Sequence, residues 1–326
     1  MATSDLARFF GYVQAFELAW LTDDWSQLGD HFTADARYAS PGAGPFGEGG
    51  TGRDGVVAAL RASTHDMDRR FDVRIPEILA GPVVREDGVW MRYALTLRRA
   101  GLPELRMTGD HVVKYRDGRI AELLDTPEAG AGERAAAYLR EHGARLRPAG
   151  APLAADAAPH DLRDLELAVR RSLVRCYGAA KSQQDVEAAL AICSQDFVLD
   201  CPPFGTIVRG KDEARPQLEL FFAAFPDYGV TVEGMSAEGD SVACWGDVHL
   251  TFAGPLLDLA PTGRAARLPF VSVFACDSTA LRGERFFFDL ATLCRQIGVP
   301  VESVQRALGG LVAAEQHAAP LAAAGA

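Results

Sequence analysis

Apolar residues recur first with a helical period and then with the alternation of strands, and this order of events occurs twice along the chain. Leu6, Phe9, Phe10, Val13, Phe16 and Trp20 fall on one face of an opening helix, and Leu165, Val169, Leu173, Cys176 and Tyr177 do so past the midpoint. Each helix is followed by a shorter one that leads into a strand ending at proline. The two passages, DWSQLGDHFTADARYASP and DVEAALAICSQDFVLDCP, set Asp35 against Asp196 and Pro41 against Pro202. A glycine-rich turn then opens another helix at Gly52-Arg53-Asp54 in one copy and Gly210-Lys211-Asp212 in the other. The aspartate there suits the free N–H groups and positive end of the helix dipole. Four alternating segments close each copy: FDVRIPEIL, GVWMRYALTLR, LRMTGDHVVKY and RIAELLD, against YGVTVEGMSAE, SVACWGDVHLTF, ARLPFVSVFA and ERFFFD. Turn signals such as Arg116-Asp117-Gly118 and Glu238-Gly239-Asp240 separate them, as an antiparallel meander requires.

Helices followed by a sheet that must cover its apolar face predict an α+β fold. A curved, mostly antiparallel sheet wrapped around N-terminal helices makes a cone whose mouth can remain open as a pocket. The chain is therefore expected to hold two tandem cone-shaped domains, at residues 1–145 and 162–312. Between them, residues 146–161 (LRPAGAPLAADAAPHD) lack an amphipathic period and read as an Ala/Pro-rich linker. An Ala-rich tail at residues 313–326 is expected to extend a last helical stretch that frays. The length, 326 residues, agrees with two cores rather than one.

Composition narrows the partners. With 48% hydrophobic and 24% charged residues the chain can bury proper cores, and its net charge of −11 disfavours nucleic acid and anionic membrane surfaces. The opening MATSDLARFFGYVQAF has no unbroken apolar run, so a cytoplasmic location is expected. Cys176, Cys193, Cys201, Cys244, Cys276 and Cys294 all lie in the second half without CxxC spacing, which reads as buried thiols rather than a disulfide framework. Neither HxH or HExxH spacing nor a P-loop motif is present, so no metal and no cofactor is expected.

The second half, with FFAAFPDYGVTVEGMSAEGDSVACWGDVHLTFAG, then APTGR, then ERFFFDLATLCRQIG, resembles the SnoaL-like polyketide cyclases of the nuclear transport factor 2-like superfamily. The first half, with FTADARYASP, GRDGVVAAL and TGDHVVKYRDGRIAELLD, is similar to the broader superfamily, which also holds the ketosteroid isomerases. The resemblance implies the fold more firmly than a reaction, because such cones serve isomerases, cyclases, dehydratases, epoxide hydrolases and binding modules. Ketosteroid isomerases hold one aspartic acid neutral to donate to an enolate oxygen. The resemblance puts Asp110 at that place in the first half and Phe270 in the second. The isomerase base falls on Ser40 and Cys201, and its tyrosine on Phe16 and Tyr177, so neither half has the full set. The cyclases use instead an aspartate at the end of the last strand, which the resemblance places at Asp289, with Asp125 as its repeat mate. The histidine that often accompanies it on the penultimate long strand has no counterpart near Phe270.

Three phenylalanines before Asp289 would desolvate its carboxylate and raise it from about 3.9, although a following helix also suits it as a cap. Alternation puts Asp110 on the face opposite to His111, and Asp110 is expected to point inward. Trp245, Asp247 and His249 share a face, where Asp247 could orient His249 as an acid/base pair. HDMDRRFDVR reads as a solvated helix end, with Arg70 or Arg74 as an alternative carboxylate binder.

The expected function is a cofactor-independent cyclase or isomerase acting by acid/base chemistry on an apolar carbonyl compound such as a polyketide intermediate. Asp289 and Asp110 would move protons and stabilise the oxyanion, Tyr177 would donate, and Phe16, Trp20, Tyr38, Trp90, Trp245 and Phe270 would wall the pocket, with the second half active. The alternatives are an epoxide hydrolase or cyclase pairing Asp200 with Asp289, and a non-catalytic binding module. The partners expected are an apolar small-molecule substrate and the other repeat in an intramolecular pseudo-dimer, which leaves room for a further homodimer; no nucleic acid and no membrane are expected.

Overall fold

The opening helix α1 (Asp5–Thr22) begins where Ser4 accepts the Ala7 N–H at 3.0 Å, and it lays Leu6, Phe9, Tyr12 and Trp20 into the interior. The structure, a computed structural model, describes residues 4–47, 49–86, 88–154 and 158–308. By internal contacts it divides into two units that meet between Cys176 and Tyr177.

In the first unit α1 is followed by β1 (Phe32–Ala39), β2 (Gly49–Thr51), α2 (Arg53–Asp66), β3 (Val73–Arg85), β4 (Gly88–Arg98), β5 (Leu105–Arg116), β6 (Arg119–Pro127) and α3 (Ala131–His142). The six strands form one sheet in the order β2-β1-β6-β5-β4-β3. Only β1 and β6 run parallel. On β5 the buried side is Leu105, Met107, Gly109, His111 and Val113. One end of this inner face is filled by α3, where Ala135 and Tyr138 cluster with Met67, Phe71, Leu97, Leu105 and Met107. The other end, at His111, is covered by Phe9 and Tyr12 of α1.

The opposite face of β3 is covered too. Helix α4 (Pro159–Ser182) sets Leu165 and Ala168 on Val73 and Ile75, at about 1.5–3 kcal/mol for each large side chain buried. Arg171 pairs with Glu77 at 2.8 Å, and the Ser172 hydroxyl accepts the Ile78 N–H at 3.0 Å. Double coverage of this strand explains why its alternation is weak in the sequence. The last turns of α4 belong to the second unit.

There, α5 (Val186–Ala191), β7 (Cys193–Cys201), β8 (Thr206–Arg209), α6 (Lys211–Ala224), β9 (Gly229–Glu238), β10 (Ser241–Thr251), β11 (Ala265–Cys276), β12 (Leu281–Phe288) and α7 (Leu290–Ile297) repeat the plan. The sheet order is β8-β7-β12-β11-β10-β9, again with one parallel pair, β7 with β12. Gly52 and Gly210, just before α2 and α6, take φ of 74° and 87° in turn, which is why glycine opens that helix in both copies.

Two expectations change. HDMDRRFDVR is not a solvated helix end: Asp68, Arg69 and Arg74 are buried, because a single 3-10 turn after α2 (Asp68–Arg70) folds the segment back beneath Trp20. Arg70 donates to the carbonyls of Arg147 and Gly143, and Arg74 is held by Asp68 and Glu17, so neither is free for a carboxylate. The expected tail, residues 313–326, lies outside the described residues. All six cysteines are buried thiols, and burial pushes Cys176 up to about 12. Among the described residues no helix is long and apolar enough to cross a membrane.

Candidate active site

Strand register decides which polar groups meet inside the first unit. His111 of β5 lies opposite Asp125 of β6, and both point to the inner face. His111 Nδ1 is 2.5 Å from Asp125 Oδ1, and the Tyr38 hydroxyl donates to Asp125 Oδ2 at 3.3 Å. The Tyr12 ring stacks on the imidazole, 6.3 Å between centroids and 11° between planes. The other ring nitrogen, Nε2, is buried and has no hydrogen-bond partner. Burial, reinforced by the Asp125 charge, holds the Tyr38 and Tyr93 hydroxyls far above their ordinary range, so both remain protonated donors. Tyr12 is pushed up by the same two causes.

A second polar group stands near these tyrosines. Arg74 Nε donates to Asp68 at 3.0 Å and its Nη1 to both oxygens of Glu17 at 2.9 and 2.8 Å, with the guanidinium 5.4 Å from the Trp20 ring and 5.6 Å from that of Phe16. Burial pushes Asp68 up to about 6 in spite of Arg74, whose charge Glu17 shares. An open groove of about 580 Å³ beside α2, lined by Trp25, Arg53, Arg61 and His65, includes none of these residues.

Several expected site residues lie elsewhere. Asp110 faces outward, 3.9 Å from Arg92, because the inner face of β5 belongs to the odd-numbered residues. Trp90 lies opposite Val112 on that outer face, with Arg85 4.1 Å above its ring. Trp245 and His249 are exposed on the outer face of β10; Asp247 pairs with Arg267 at 2.7 Å, and the His249 ring covers Gly229. Asp289 is the N-cap of α7, bonded to the Ala291 N–H and the Thr292 hydroxyl at 3.0 and 2.5 Å. Those hydrogen bonds, Thr292 first, hold its carboxyl below the ordinary value, the reverse of the expected rise. Asp200 pairs with Arg285 at 2.7 Å, so it forms no acid pair with Asp289.

Phe16, Trp20 and Tyr38 do border the first interior, and Phe270 is buried on the inner face of β11, 5.5 Å from Phe286. Tyr177 is fully buried against Phe197 and Phe274. Burial and the Glu284 charge raise its hydroxyl well above the ordinary range.

The two units are not equivalent at the dyad. Tyr38 lies opposite Leu123, and Leu199 opposite Glu284; each faces its partner three residues before the strand-end proline. Counting on along β6 and β12, Asp125 is matched by Phe286, and His111, through the next pairing, by Ser272. Asp289 matches Glu128 instead, so Asp125 and Asp289 are not repeat mates. The signal within reach of sequence reasoning was a histidine and an aspartate facing each other across the Asp117-Gly118 turn, with counting anchored at Pro41 and Pro202.

Two family models match the chain: SnoaL-like domain over residues 13–123 and SnoaL-like polyketide cyclase over residues 171–297. None of the curated proteins compared is similar in sequence. Among solved structures, a candidate SnoaL-like polyketide cyclase from a Jannaschia species is 21% identical, with a TM-score of 0.39 over 44% of this chain and 98% of its own. AclR, a candidate hydroxylase from Streptomyces galilaeus, is 23% identical, with a TM-score of 0.37 over 41% of this chain and 99% of its own. A protein with a ketosteroid isomerase-like fold from Catenulispora acidiphila is 15% identical, with a TM-score of 0.36 over 40% and 95%. With a six-stranded mixed sheet in each unit and a family match on each, the chain is a tandem SnoaL-like protein.

Proposed function

We propose that the first unit is a cofactor-independent acid/base catalyst acting on an apolar carbonyl-containing small molecule, in the manner of a cyclase or isomerase. The observation that carries this reading is the buried, unpartnered Nε2 of a histidine whose Nδ1 is engaged by Asp125. With the Nδ1 proton donated to Asp125, the lone pair lies on Nε2, the tautomer a general base needs. His111 takes a proton from the carbon beside the carbonyl, Asp125 stabilises the imidazolium so formed, and the same nitrogen returns the proton to product. Tyr38 fixes the second oxygen of Asp125 and so limits the carboxylate to one orientation. The Tyr93 hydroxyl, which lies over Gly109 on the same face, is placed to donate to the developing enolate oxygen. Ring closure or double-bond migration then depends on the substrate held against this centre.

The test is solvent-deuterium exchange at the activated methylene of β-tetralone, an apolar bicyclic ketone, followed by NMR with the full chain. His111→Asn and Asp125→Asn are each expected to slow the catalysed exchange about 10²- to 10⁴-fold. Exchange that survives both changes at the original rate rejects the assignment.

A further inference from the structure

The second unit holds a partly open cavity of about 80 Å³ lined by Lys181, Phe204, Gln217, Phe221, Tyr228 and Phe286, among others. At its polar end Lys181 Nζ donates to both oxygens of Glu284, at 2.9 and 3.2 Å, and the Ser272 hydroxyl donates to Glu284 Oε1 at 2.8 Å. Both charged side chains are less than a tenth exposed. The ammonium stands over the rings of Tyr177, Phe286 and Tyr228, at 5.0, 5.1 and 5.8 Å.

A buried ion pair is rarely needed for stability, because apolar side chains of similar volume usually serve as well or better. This chain supplies its own control. Counted from Asp24 and Asp185, which open the matched passages, Lys181 corresponds to Trp20; by strand register, Glu284 corresponds to Leu123. Both first-unit residues are apolar and buried, so the fold accepts an apolar pair at these two places. The second unit has exchanged the His111–Asp125 dyad for Ser272 and Phe286, and has put a lysine and a glutamate where its repeat has tryptophan and leucine. Its polar centre has moved and changed chemistry, and it now borders a cavity.

We propose that this cavity binds a small uncharged hydroxy ketone, or the hydroxy-carbonyl end of a longer molecule, with the ketone oxygen accepting from Lys181. Each part of the lining fits that class. The ion pair is neutral as a whole and its surroundings are aromatic, so an ionised carboxylate would bring an uncompensated charge beside Glu284. Burial opposes the charge on Lys181, but Glu284 more than restores it and raises the lysine above its ordinary value; Lys181 is therefore a hydrogen-bond donor and not an amine nucleophile. Gln217 Oε1 is buried without a partner and can accept from a hydroxyl. The volume is about half of the 150 Å³ that admits benzene, which suits a skeleton of about four carbons. The inference rests on the second unit alone and is independent of the dyad.

Saturation-transfer NMR on the full chain tests it, with acetoin as the probe and secondary butanol as the control that lacks the ketone. Acetoin is expected to receive saturation from the protein and the alcohol at least about tenfold less, the difference a hydrogen bond to a charged donor makes. Lys181→Met/Glu284→Gln, which removes both charges together and so leaves neither buried alone, is expected to weaken acetoin binding at least about tenfold. Leu199→Phe, which fills the cavity and keeps the ion pair, is expected to abolish it, while His111→Asn leaves it unchanged. No transfer to acetoin in the unaltered protein, equal transfer to the alcohol, or full binding by the double variant overturns the proposal.

Discussion

Asp125 and Phe286 occupy the same place in their respective sheets, each opposite the inner-face residue of the neighbouring strand, His111 in one unit and Ser272 in the other. One position thus carries a hydrogen-bonded carboxylate in the first unit and a ring facing a cavity in the second. The two units share strand order and the helix-opening glycines but differ in these inner-face side chains.

Asp125 and Asp289 should separate cleanly in experiment. Asp289→Ala removes an N-cap and is expected to lower the urea midpoint while leaving β-tetralone exchange unchanged. Urea unfolding and the exchange assay read the two effects, and a large fall in exchange would restore Asp289 to the chemistry.

Asp68 should give the protein an acid-side stability that fades towards neutrality. Its carboxyl is raised in the folded state from 3.8 to about 6, so the folded chain holds this proton more tightly than the unfolded chain does. The contribution is present below the unfolded value and is lost as pH rises through about 6. Urea midpoints between about pH 4 and about pH 7 are expected to fall with rising pH, relative to Asp68→Asn, in which that slope is absent. Parallel curves for the two proteins would show that Asp68 titrates normally.

For the buried ion pair, sign and size depend on how it is broken. Glu284→Gln leaves the Lys181 ammonium buried beside a neutral amide and is expected to cost about 3–5 kcal/mol. Adding Lys181→Met should recover most of that loss. A double variant no more stable than the single would mean that the pair holds the unit together, contrary to the lesson of Trp20 and Leu123.

Trp245 faces away from the interior and is 43% exposed. Trp245→Gln is expected to change stability by no more than about 0.5 kcal/mol and to leave both ligand assays untouched. Loss of acetoin binding in that variant would place the ligand on the outer face of the sheet.

The repeat, the α+β plan and nearly every strand were legible because alternation and turn residues are local signals, repeated in both halves. The site was less so, and β5 shows why. Its sequence offers two faces, one with Met107 and Val113 and the other with Val112, so alternation alone does not say whether His111 or Asp110 points inward. Asp289 was misleading for a different reason. Both last strands are followed by an acidic residue near a helix, yet only parallel pairing with the first strand sets the count that makes Phe286 the partner of Asp125. Lys181 and Glu284 are 103 residues apart, and no periodicity connects them.

Helix α4 bears on how this protein can be taken apart. Residues Leu165 and Ala168 seal Val73 and Ile75, while further along the same rod Lys181 reaches into its own unit's cavity. A fragment that stops in the Ala/Pro-rich segment before Pro159 would carry a sheet with a bare aliphatic strip, and would be sticky in solution for a reason unrelated to its folding. Expression of the first repeat alone should therefore extend through Cys176, so that the rod travels with the surface it shields.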